Sequence, residues 1–165
     1  MALITSSYFW GDLHIAGLSN TLDSNVAVFN RYVAKYENEY LTKLLGTILY
    51  GEFLLGLANP SPLAKWTDLR GKLLDSVLLV SPIANYVYYH YMRNLNTITS
   101  QIGEVKPNSE NSINASNVHK QVRAWNEMVR LNVKIDTFLT DNNTVYTTYE
   151  QDYTELFELI NSLNL

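Results

Sequence analysis

The chain has no cysteine, which excludes disulfide staples, thiolate metal ligands and cysteine nucleophiles and makes the protein compatible with a reducing compartment. Basic residues are few: 12 Lys and Arg stand against 16 Asp and Glu, and no basic stripe interleaved with aromatics marks a general nucleic-acid binder. Long apolar runs are missing too. The longest, residues 44–58, is interrupted by Glu52 and falls short of the roughly 20 residues of a membrane span, so no membrane helix is expected. The first residues carry neither a basic segment nor a sustained apolar one, so no secretory leader is expected.

Chemistry-bearing motifs are equally scarce. His14, His90 and His119 fall in no spacing that would place two ligands on one helix face, so neither a metal nor a cofactor is expected. There is no G-x-S-x-G turn, and Gly46 and Gly51 are not followed by the Lys-Ser/Thr of a phosphate loop. Glu37 and Glu39 diverge on a helix; Glu155 and Glu158 share a face but look like ordinary exposed carboxylates. The chain is read as a non-enzyme.

What the chain has is helical periodicity. Asp23 or Ser24 caps a first predicted helix with Val26, Phe29, Val33, Tyr36 or Tyr40, and Leu44 at helical spacing, and Gly46 stops it. Residues 47–58 predict a second helix, apolar all round and therefore expected to be buried on several sides. The prolines at 60 and 62 end it. A short helix over 63–70 carries Trp66, Gly71 permits a break, and 72–80 fits a short buried helix or an extended run, with helix preferred.

Ser81 and Pro82 form a helix start signal, Ser as cap and Pro at the first helical position. Periodicity disappears over 96–112, which predicts an extended or hairpin-like arm closed near Pro107. Residues 114–142 predict a long amphipathic helix with Val118, Val122, Trp125, Met128 or Val129, Ile135, Phe138 and Leu139 inward, and with Lys120, Arg123, Arg130 and Lys134 as a solvated face. Residues 144–165 predict an acidic terminal helix with Tyr149, Tyr153, Leu156, Phe157, Ile160 and Leu163 on one face. The expectation is one all-α domain over 1–165, a helical bundle with an arm at 96–112.

Aromatic residues are the sharpest signal. Tyr86, Tyr88, Tyr89 and Tyr91 fall within six consecutive positions, so on a helix they point in several directions, and a single core-facing stripe would not absorb them. Protein interfaces favour such side chains, whereas Trp66 and Trp125 sit at apolar helical positions that predict core packing.

Three segments, KYENEYLTKLLG at 35–46, ANYVYYHYMRNLNTITSQIGEVKPNSENS at 84–112 and KQVRAWNEMV at 120–129, resemble small helical proteins of Bacteroides-type phages and prophages. These are similar in plan to head-tail connectors, the adaptors that form a ring below the portal. The resemblance implies a structural virion protein in the head-tail neck, present in the host cytoplasm during assembly. Its homo-oligomeric ring would match the portal's symmetry, contact the portal protein and a downstream tail or neck protein, and pass DNA through a channel without sequence-specific binding and without a membrane. The implied contact region is Tyr86, Tyr88, Tyr89, Tyr91 and Arg93 with Thr97, Thr99, Ile102, Glu104 and Lys106 of the arm. Glu150, Asp152, Glu155 and Glu158 would dock on the portal or face the channel. Alternatives are a tail-completion or tail-terminator ring protein and, in another class, a small regulatory or DNA-packaging accessory protein.

Overall fold

A computed structural model describes residues 2–15, 18, 24–95, 98–100, 103–105, 118–151 and 153–162; at 24, 25, 98–100 and 103–105 only the backbone is described. Among the described residues the architecture is all-α, with four helices: α1 (Ser24–Ala58), α2 (Ala64–Leu73), α3 (Pro82–Leu95) and α4 (Val118–Asp141). Short 3-10 turns lie at Ser6–Tyr8, Gly11–Leu13 and Thr154–Phe157. Between α3 and α4 the backbones of Ile98–Ser100 and Gly103–Val105 pair antiparallel. The rest of the arm expected at 96–112 lies outside the described residues.

α1 is two helical segments joined at Gly46, whose φ of 74° and ψ of 158° belong to glycine alone. The stop expected at Gly46 is therefore a break in direction, and the helix expected over 47–58 resumes at once. By length and composition α1 would also pass for a membrane-spanning helix. Its first segment is nevertheless core: Phe29, Val33, Tyr40, Leu41, Leu44 and Leu45 are buried. Glu37 ties the N-terminal arm to it, accepting the Leu3 amide at 2.8 and 2.9 Å and the Ile4 amide at 3.1 Å. Burial raises the Glu37 pKa, and these amides, which favour the ionised form, offset that only in part.

α3 starts as its Ser-Pro signal predicts, with Ser81 Oγ accepting the Ile83 amide at 3.2 Å. It packs on α1, on α4 and on the N-terminal turn Gly11–Leu13. Those three neighbours explain the tyrosine run. Tyr86 faces Tyr40 of α1 and Trp125 of α4, with centroids 5.4 and 6.2 Å away. Tyr89 meets Trp125 at 4.6 Å, and Tyr91 meets Phe29 edge-on at 5.0 Å. A helix enclosed from three directions buries rings that point in three directions.

Two expected helices are corrected. Over 72–80, α2 ends at Leu73, and Asp75 and Val80 then exchange backbone hydrogen bonds at 2.9 and 3.2 Å. The Asp75 carboxylate caps the turn between them, accepting the Val77 and Leu78 amides at 2.9 and 2.8 Å. Over 144–165 there is no terminal helix among the described residues. After a turn that buries Tyr146, the described residues make the 3-10 turn Thr154–Phe157 and run along α4 as a strap. The inward face expected of α4 is present, with Trp125, Met128, Val129, Ile135 and Leu139 buried, but it also includes Gln121 and Asn132.

Candidate interaction surface

The expected contact residues divide into three groups. Tyr86, Tyr88 and Tyr89 are 1%, 1% and 5% exposed, and Tyr91 is half-buried. The surplus of aromatic surface expected from this run is therefore absent, and the contact role expected of these four residues loses its premise. Arg93 is exposed, but its guanidinium is engaged, donating to the Tyr89 hydroxyl at 2.9 Å. Thr97, Ile102 and Lys106 lie outside the described residues, and of Thr99 and Glu104 only the backbone is described.

Of the acidic set, Glu150, Glu155 and Glu158 are exposed, and Asp152 lies outside the described residues. Glu155 accepts from Lys43 at 2.6 Å, so its charge is partly engaged within the chain. Lys43 also reaches Glu39 at 3.2 Å, and Tyr86 donates its hydroxyl to Glu39 at 2.7 Å. Burial alone would raise the Glu39 pKa, but Tyr86 and Lys43 together lower it. His90 stacks on Tyr36 at 4.6 Å and also meets Tyr86 and Tyr89. Burial lowers its pKa to about 4. These groups form a structural knot between α1, α3 and the strap. Among the described residues no cluster of His, Asp and Glu could hold a metal ion.

The uncovered apolar surface lies elsewhere. In the second segment of α1 only Leu49 and Phe53 are fully buried, and Gly56 is covered by the Trp66 ring. Successive helical residues turn by about 100°, so Thr47, Ile48, Gly51, Leu54, Leu55 and Ala58 share one arc about 120° wide. That arc carries no charge; Ile48 is 66% and Leu55 78% exposed, and no atom lies within 4 Å of a Cβ built at Gly51. The all-round apolar pattern of 47–58 predicted burial on several sides, and the fold leaves that burial only half complete.

A second uncovered patch is the tip of the 75–80 loop, where Val77 is 88% exposed and Leu78 also stands in solvent. The loop is rigidly built. Besides the Asp75 cap, the Trp10 indole N–H donates to the Leu79 carbonyl at 3.0 Å, and Leu79 holds a positive φ of 52°. A bulky residue at positive φ costs about 1–2 kcal/mol, which the surrounding hydrogen bonds must sustain. No family model, curated protein or solved structure matches the chain.

Proposed function

We propose that the protein is a non-enzymatic structural subunit that assembles with copies of itself, and that its setting is the neck of a phage particle, as a ring between portal and tail with a channel for DNA. The supporting observation is the pair of uncovered apolar patches, the 47–58 arc of α1 and the Val77–Leu78 loop tip, which occupy different elements of one subunit. A ring needs two different patches per subunit, because its contacts are heterologous. Covering a side chain such as Leu55 or Ile48 contributes about 1.5–3 kcal/mol, so even a few such residues per contact matter.

The setting comes from the resemblance of residues 35–46, 84–112 and 120–129 to phage connector-like proteins. An arm over 96–112 that reaches onto a neighbour belongs to the same proposal, as does docking of Glu150 and Glu158 on a basic portal surface. The test is absolute molar mass by light scattering over a range of concentrations, together with mass spectrometry of purified particles. A mass that rises toward a closed oligomer and a chain present in the particle support the reading; a strict monomer absent from particles contradicts it.

A further inference from the structure

The C-terminal strap is held in the manner of a bound peptide. Side chains of α4 reach its backbone: Asn132 Nδ2 donates to the Leu156 carbonyl at 2.8 Å, and the Trp125 indole N–H donates to the Glu158 carbonyl at 2.9 Å. Asn126 brackets Ile160, donating to its carbonyl at 3.0 Å and accepting its amide at 2.9 Å. Leu156 meets Asn132 while Glu158 and Ile160 meet Trp125 and Asn126 nearer the start of α4, so the strap runs broadly antiparallel to the helix. From α1, Lys43 pairs with Glu155 and Tyr40 holds Asn132. Among the described residues, Leu156 is the one strap side chain that is fully buried.

Three properties make this groove a site in its own right. Four of the hydrogen bonds read strap backbone, which makes them available to any extended segment of suitable shape. The strap turn Thr154–Phe157 packs chiefly on α4, whereas α3 packs directly on α1 and on α4. In place, it leaves Tyr153 and Leu159 substantially exposed.

We propose that the groove between α1 and α4 is a docking site for an extended peptide, and that its occupant in the assembled protein is the strap of a second copy. The proposal rests on the self-association proposed above. A second copy is the occupant the contacts select: its strap repeats in trans every bond made in cis, including the Leu156 anchor and the Lys43–Glu155 pair. Exchange of identical segments is an inexpensive route to a subunit contact, since no new surface has to be made complementary.

The test uses full-length chains. Leu156→Asp spoils the strap and keeps the groove; Trp125→Phe with Asn126→Ala spoils the groove and keeps the strap. A labelled peptide of residues 153–162 binds L156D saturably, and adding the two groove substitutions weakens it by about tenfold or more. When the strap-defective and groove-defective chains are mixed, native mass spectrometry shows 1:1 pairs above the statistical share. A folded L156D that ignores the peptide, or mixed pairs at the statistical share, overturns the proposal. Ile160→Asp replaces L156D if circular dichroism shows that L156D does not fold. A wild-type chain that assembles while L156D ignores the peptide overturns exchange and leaves the assembly reading standing. Peptide binding with a wild-type chain that stays monomeric overturns the second copy as occupant, along with the assembly reading.

Discussion

The Tyr40 hydroxyl donates to the Asn132 side-chain carbonyl at 2.5 Å, joining α1 to α4 across 92 residues of sequence. The same amide donates to Leu156, so one buried asparagine ties two helices and the strap together. Burial raises the Tyr40 pKa well above its usual value, which keeps the phenol protonated as the donor this bond requires. Tyr40→Phe strands one acceptor and is expected to cost about 1–2 kcal/mol, whereas Asn132→Ala strands two groups and costs about 3 kcal/mol. Urea unfolding of both single variants and the double variant checks this: the losses should fall short of additive by about 1 kcal/mol, and full additivity would break the link.

Glycines separate backbone demand from packing demand. Gly46→Ala meets no crowding, its nearest neighbour being the Glu150 carbonyl at 3.9 Å, yet it forces a side chain onto a φ of 74° and should cost about 1–3 kcal/mol. Gly56→Ala fails for the opposite reason, since its Cβ would lie 2.1 Å from the Trp66 ring. Gly51→Ala has open space in a helix and should stabilise the monomer by about 0.5–1 kcal/mol. Thermal unfolding of the three variants gives the order.

His90 gives the fold an acid limit. Its pKa is held to about 4, first by burial, with Lys43, Arg93 and Lys35 pushing the same way and Glu39 opposing. Below its ordinary value of 6.5 the unfolded chain takes up a proton that the folded chain refuses. Stability should therefore fall as pH drops from 6.5 toward 4, by on the order of 3 kcal/mol at most. The lowered Glu39 pKa adds a further loss below 4.5. His90→Phe, which keeps a ring against Tyr36, should flatten the change in urea midpoint between about pH 7 and pH 5; an unchanged slope would assign it to other groups.

Local signals proved legible. The Ser81 cap, the Gly46 break and the amphipathic pattern of α4 each depend on a few neighbouring residues and reappear in the fold. What depends on distant chain was not legible. The tyrosine run looked like surplus surface because its three covering elements, α1, α4 and the Gly11–Leu13 turn, come from elsewhere in the sequence. The strap has helical apolar spacing from Tyr149 to Ile160, but Asn126, Asn132 and Trp125 take up its backbone groups instead. The 72–80 loop reads as apolar helix until the Asp75 side chain is seen to cap its own turn. Conversely, the α1 arc was visible as an all-round apolar pattern, and the fold leaves that arc in solvent.

The most direct test of the proposed self-association is the molar mass of the wild-type chain beside an Ile48→Glu, Leu55→Glu variant, read by light scattering at rising concentration. Both side chains stand in solvent in the isolated subunit, so the variant should unfold within about 0.5 kcal/mol of wild type. The account predicts a wild-type mass that climbs above 18.9 kDa while the variant stays at that value. Equal masses for the two chains at every concentration would contradict it.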